Sequence, residues 1–286
     1  MKNIFLSSIL SVLLSGWIVA AESVVAQKPG IRTLQLVSDQ NSVQPGGSLT
    51  ISLFIQHEPE YHTYWKAPGI VGVPTSISWK LPSGFKASDL EWPVPQLTKM
   101  AQYTAYGYET DTNLLTTITV PETIEGDEVI LKARVAFMCC AKNCHPGWHD
   151  FELTLPVNRT GKPDIDRKWQ KRIAQTIEER PESAPADWLI EASETETEIQ
   201  VTVASPDRSF REEENLYCFS EDNQINSDSP QSITWSDDRK ELTFILKKSG
   251  FGPENLKKFS GLLYHPEGWP GVSSNWVYIS VPLSSS

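Results

Sequence analysis

Leu49, Ile51, Leu53 and Ile55 alternate with Thr50, Ser52 and Gln56. An apolar side chain at every second position is the period of a strand with one buried face, and Pro45-Gly46-Gly47 supplies a turn just ahead of it. Strand-like segments recur at Ser76 to Lys80, Asn113 to Val120, Val129 to Met138 and Asp150 to Pro156, and no convincing amphipathic helix interrupts them. Residues 32–157 therefore predict an all-β sandwich. Between Pro163 and Pro181 the period changes: Ile165, Trp169, Ile173 and Ile177 recur every four residues. That spacing predicts one short linker helix over 163–181, with Asp164 as its cap and Pro181 as its stop. Pro181-Glu182-Ser183-Ala184-Pro185 reads as a boundary. Beyond Trp188 the β pattern returns at Ile199/Val201/Val203, Leu216 to Phe219, Ile233 to Trp235, Leu242/Phe244/Leu246, Leu262 to Tyr264 and Val277/Ile279/Val281. A second, smaller β-sandwich over 186–284 is the expectation. The halves show no clear internal repeat, so duplication is not inferred.

The length of 286 residues suits two domains that each bury a core. A formal charge of −11 with no dense Lys/Arg cluster argues against nucleic acid as a partner. Residues 1–21 carry Lys2, an apolar run from Ile4 to Ala20 and small residues at Val19-Ala20-Ala21, the pattern of a cleaved secretory signal peptide. Ser7, Ser8, Ser11, Ser15 and Gly16 dilute the run, which is short for a membrane span. A soluble, exported protein is expected, in a compartment where a disulfide is allowed and a close cysteine pair need not be a metal site.

The candidate chemistry lies in Phe137 to Asp150, which holds three of the four cysteines and two of the five histidines. Strand alternation puts Leu131, Ala133, Val135, Phe137 and Cys139 on one apolar face, and Lys132, Arg134, Ala136, Met138 and Cys140 on the other. Adjacent Cys139 and Cys140 point apart, whereas Cys140 and Cys144 can bridge across a turn. Three readings of the pair are open: a redox couple, a plain structural bond, or part of a metal site. A structural bond closing so short a loop is worth only about 2 kcal/mol. For the redox reading, a protonated His145 beside Cys144 would favour the thiolate, and Pro146-Gly147 restricts the turn and admits a partner's backbone. For the metal reading, Cys139, Cys140, Cys144, His145 and His149 are ligands suited to Cu(I) or Zn²⁺. Their spacing matches no standard zinc pattern, so neither a metal nor another cofactor is expected. Cys218 reads as a small buried hydrophobe, with a bridge to Cys139 left open. No hydrolase triad, phosphate loop or paired-carboxylate motif stands out.

Several motifs occur in a fixed order: Tyr61-His62-Thr63-Tyr64-Trp65-Lys66-Ala67-Pro68-Gly69, Gly72-Val73-Pro74, Trp79 to Phe85, Trp92-Pro93-Val94-Pro95, Tyr106-Gly107-Tyr108-Glu109, and Cys140-x-x-x-Cys144-x-Pro146-Gly147. The set resembles the periplasmic N-terminal domain of the thiol:disulfide interchange protein DsbD, in the branch linked to suppression of copper sensitivity. The likeness is good over 32–157 and looser beyond. It implies an immunoglobulin-like sandwich in which Cys140 and Cys144 are the redox pair, relaying electrons from a membrane-embedded donor to thioredoxin-like proteins of the periplasm. Tyr64 falls where the family keeps an active-site tyrosine, and His62 where the best-known members have another. The aromatic that shields the family's disulfide would fall near Ala105, leaving Tyr103 or Tyr106 to do that work. The sequence ends at Ser286 without the family's membrane and thioredoxin-like domains, so a separate membrane electron donor is expected. The function expected is thus an electron relay, a thiol:disulfide oxidoreductase component. The alternative is a non-catalytic exported binding module with a structural disulfide, serving assembly or copper handling.

Overall fold

The computed structural model describes residues 21–285; the signal segment expected before them lies outside the described residues. In the first half the strands are β1 (Ala26–Lys28), β2 (Ile31–Ser38), β3 (Ser48–His57), β4 (Thr63–Gly69), β5 (Ser76–Lys80), β6 (Lys86–Ala87), β7 (Gln96–Met100), β8 (Tyr103–Tyr108), β9 (Thr112–Thr119), β10 (Glu128–Cys140) and β11 (Cys144–Pro156). They form one sheet of order β1-β2-β3-β9-β6, a second of order β11-β10-β5, and a small third of order β4-β8-β7. The alternating residues of β3 pack in one core with Leu131, Val135 and Phe137 of β10 and Phe151, Leu153 and Leu155 of β11. Two sheets facing each other across such a core make the immunoglobulin-like sandwich that the alternation predicts.

Some strands depart from what the alternation predicts. β4 is buried on both faces except at Lys66, so it shows no period of two. The β7–β8 hairpin folds over the end of the second sheet and is likewise irregular in pattern. β11 begins at Cys144 rather than at Asp150; Pro146 is tolerated within it because β11 is the edge strand of its sheet.

The helix α1 spans Arg167–Glu178 and starts two residues later than expected. Its cap is Asp166, whose carboxylate accepts from the amides of Lys168 and Trp169, both at 3.0 Å. Asp164, the expected cap, instead offers its carbonyl to the Asn41 amide. Trp169 and Ile173 bury against Val37, Phe54 and Leu115 on the outer face of the first sheet, while Ile177 at the end of the stripe is exposed.

The second half comprises β12 (Glu182–Ser183), β13 (Leu189–Glu194), β14 (Glu198–Ala204), β15 (Tyr217–Ser220), β16 (Ser232–Trp235), β17 (Glu241–Lys247), β18 (Lys258–Tyr264) and β19 (Trp276–Ser285). The order is β15-β18-β19-β13-β14-β17-β16, with β12 also on β19. β19 pairs with β18 along its first part and with β13 at its end, so the sheet folds back around one core. Val201, Val203, Leu242 and Phe244 meet Cys218, Leu263, Val277 and Ile279 there.

The halves share a buried seam. Phe219 and Leu262 enter the first core, and the Tyr106 ring lies 4.8 Å from that of Phe219. Polar contacts then tie the loop after β15 to the small third sheet. Lys66 pairs with Glu221, the Gly69 amide donates to Asn223 at 2.9 Å, and the Thr104 amide donates to Asp228 at 2.9 Å. The Ser227 hydroxyl donates to the Thr104 carbonyl at 2.7 Å and accepts from the Ile70 amide at 3.1 Å.

Candidate redox site

β10 and β11 form a long antiparallel hairpin whose last rung pairs Cys140 with Cys144 across Ala141-Lys142-Asn143. The Cys140 amide and carbonyl both bond to His62, each at 2.9 Å, on the side turned away from β11. Cys140 and Cys144 are therefore a non-hydrogen-bonded pair, the kind in which opposite Cα atoms come closest. Their Cα atoms are 4.1 Å apart and the two sulfurs are bonded.

The two cysteines differ sharply in access. Cys140 is fully buried, although alternation places it on the face that carries Lys132 and Arg134. The third sheet explains the difference: Tyr64 of β4 and Ala105 of β8 cluster with Cys140, and Val71, Met100 and Met138 pack against them. Cys144, across the rung, is exposed to solvent. One sulfur is thus roofed and its partner open.

Two polar groups in this roof lack partners. The Nε2 of His62 and the hydroxyl of Tyr64 are buried with no hydrogen bond, and the rings stand edge to face at 5.0 Å. Burial pushes the Tyr64 hydroxyl up to about 12 and pulls His62 down to about 4, with a smaller contribution from the nearby His57. Both are uncharged at neutral pH. Gly72, at φ 102°, lets the chain lie on the Tyr64 ring; a Cβ there would come within 2.2 Å of it.

The remaining expected residues fall elsewhere. His145 adjoins Cys144 in sequence but pairs with Cys139 across the hairpin, and neighbours in a strand face opposite sides. Its ring is 6.0 Å from Tyr61. Tyr106 does not cover the disulfide: it is buried in the seam between the halves, its hydroxyl 3.2 Å from that of Tyr217. Tyr103 is exposed at the start of β8 and is absent from the cluster on Cys140. Ala105, Met100 and Val71 form the cover instead. No aromatic or charged signal marked these side chains in the sequence; only the position of Ala105 near the family's shielding aromatic pointed to them.

Cys139 lies in the first core, where burial pushes its thiol up to about 12. Cys218 lies in the second core and its thiol is also raised by burial. Both are free, so the bridge left open between them is not formed. With Cys140 and Cys144 bonded to each other and Cys139 on the opposite face, the residues weighed as metal ligands do not converge. Among the described residues no group of three or more His, Cys, Asp or Glu is placed to hold a metal.

The fold and site define a class: an immunoglobulin-like β-sandwich with a half-covered disulfide closing the end of a hairpin. Residues 33–156 match the family model of the thiol:disulfide interchange protein DsbD, N-terminal. The crystal structure of the N-terminal periplasmic domain of ScsB from Proteus mirabilis superposes with a TM-score of 0.64 at 15% identity, over 92% of this chain and 98% of that one. At that identity the likeness is one of fold, and it extends through both halves. A collagen adhesin from S. aureus aligns over 93% of this chain and 94% of its own at 9% identity, with a TM-score of only 0.17. No curated protein sequence matches the chain.

Proposed function

We propose that the protein is an exported thiol:disulfide interchange module in which Cys144 is the cysteine that meets the partner and Cys140 the one that resolves. The observation that carries this reading is the asymmetry of the pair: an exposed Cys144 bonded to a buried, roofed Cys140. In the reduced form Cys144 is open to a partner, while the apolar cover keeps Cys140 out of a partner's reach. The Cys144 thiolate attacks a disulfide of a thioredoxin-like partner, forming a mixed disulfide and releasing the partner's other sulfur as a thiolate. Cys140 then gives up its proton and attacks the Cys144 sulfur, and the partner leaves as a dithiol. Two electrons pass to the partner and the Cys140–Cys144 bond is remade. Run in reverse, the same steps reduce this protein.

The unpartnered His62 and Tyr64 groups support the reading. A buried polar group without a hydrogen bond costs about 1–3 kcal/mol. Donors left idle beside Cys140 in the oxidised state suit a site where negative charge appears on sulfur only while the bond is open. The match to the DsbD N-terminal family points the same way, as does the periplasmic location stated for the ScsB domain. Among the described residues no helix is long and apolar enough to cross a membrane, which is compatible with a periplasmic domain.

The test is a trapping experiment. Cys140→Ser keeps the open nucleophile and removes the resolving sulfur, so it should accumulate a mixed disulfide with oxidised thioredoxin that non-reducing electrophoresis detects. Cys144→Ser should give at least tenfold less adduct. Equal trapping by both variants, or none by either, would sink the assignment.

A further inference from the structure

We propose that the open edge of β11 from Cys144 to Trp148 is the docking surface for the thioredoxin-like partner, which adds an extended segment to it and packs on Trp148. This rests on the interchange reading above. Three observations lead to it.

The first is backbone polarity. Cys140 turns its amide and carbonyl to His62, so its opposite number Cys144 turns its own away from β10, and the period of two repeats this at Pro146 and Trp148. β11 is the edge of its sheet. The same outer edge is used at its far end, where the Val43 amide donates to the Pro156 carbonyl at 2.9 Å. Among the described residues no such backbone bond reaches Cys144, Pro146 or Trp148. Unpaired strand edges bind extended segments by continuing the ladder.

The second is the side-chain face. Cys144, Pro146 and Trp148 share one face of the strand and all are exposed, with Trp148 65% accessible. An indole so open to water on a regular strand is an unspent anchor, since buried aromatics dominate interface energetics. Trp148 lies four residues from Cys144, about 14 Å at roughly 3.4 Å per residue. A partner patch of about 800 Å² has a radius of about 16 Å, so a partner centred on Cys144 reaches Trp148.

The third is a groove of about 360 Å³ beside this edge, with Lys28 and Pro29 on one side and Pro146 to Trp148 on the other. Gly147 seats the chain against Phe137, whose ring would be 2.7 Å from a Cβ at that position. Pro146 has no amide to donate, so a docked segment pairs with this edge through the Cys144 and Trp148 amides and the outward carbonyls.

The experiment compares two oxidants. Reduced protein and its Trp148→Ala variant react with oxidised thioredoxin and, separately, with oxidised glutathione, which needs access only to Cys144. The variant should react at least tenfold more slowly with thioredoxin and within twofold of the parent with glutathione. As a measurement that needs no Trp148 variant, the Cys140→Ser adduct with thioredoxin should protect the Cys144 and Trp148 amides from hydrogen exchange. A thioredoxin rate indifferent to Trp148, an equal fall with both oxidants, or amides that stay unprotected would each overturn the docking surface while leaving the interchange reading intact. A Trp148-dependent dimer in sedimentation would also overturn it. Failure of the parent to react with either oxidant overturns the interchange reading, and docking falls with it.

Discussion

Reducing the Cys140–Cys144 bond should leave the protein folded and cost only about 2 kcal/mol. The bond closes a loop of five residues, and in the chain-entropy relation a loop that short restricts the unfolded chain by about 7 cal/mol/K, or about 2 kcal/mol at 25 °C. Little in the native state depends on it. The hairpin is already held by the continuous register from Glu128↔Pro156 to Cys140↔Cys144, by β5 along Lys132 to Ala136, and by the two His62 bonds to the Cys140 backbone. A reduced Cys140 is a small, neutral, buried thiol that buries no new charge. Urea unfolding of the oxidised protein, the protein in dithiothreitol, and a Cys140→Ala/Cys144→Ala double variant measures the difference. With a slope near 2 kcal/mol/M, the transition of the first half should move by about 1 M urea. Loss of that transition, or a shift of more than about 4 kcal/mol, would mark a bond on which folding depends. A carrier that must be stable in both states cannot be built that way, and the interchange reading would fall.

His57 and His62 are both pulled down to about 4 by burial, from 6.5. Below pH 6.5 the unfolded chain takes up protons that the folded chain refuses, so stability should be level above pH 7. It should then fall towards pH 4 by at most about 1.4 kcal/mol per unit for each histidine. Urea midpoints at pH 7.5, 5.5 and 4.5 read this, and a flat profile contradicts the buried neutral assignment. Gly72→Ala drives a Cβ into the Tyr64 ring at a positive φ and should destabilise the first half by about 3 kcal/mol; a change under 1 kcal/mol in thermal or urea unfolding would mean that Tyr64 is free to move. Ser227→Ala with Asp228→Ala removes bonds that hold Thr104 and Ile70. The β7–β8 hairpin should then exchange its amides faster and oxidised Cys140–Cys144 should be reduced faster by glutathione, and unchanged rates for both would show that the second half does not hold the cover.

The parts of the fold that could be read in the sequence are those with one face in water. β5, β10 and β17 alternate in burial, so exposure writes itself into every second residue, whereas β3 and β9 carry Phe54 and Leu115 under α1 on their outer face. α1 shows itself by its four-residue stripe, although Asp166 and not Asp164 caps it, because both acids precede the stripe and only the local turn decides between them. β4 is buried on both sides, and β7 and β8 follow no period of two, so their sequence carries no pattern to find. That is also why half of the site was hidden. Alternation could separate Cys139 from Cys140 using β10 alone, but it treats the second face of a strand as solvent. Near Cys140 that face is roofed by Tyr64, Ala105 and Met100, brought in from 35 to 76 residues away along the chain and fastened by Ser227 and Asp228 of the other half. Neither Tyr103 nor Tyr106 forms the cover; Tyr64 does, together with small or flexible apolar side chains. Tyr106, the obvious aromatic, is taken up by the seam with Tyr217 and Phe219. Gly69, Ile70 and Thr104, which flank the cover on Cys140, are thus tied to the second half by tertiary contacts that no motif within it announces.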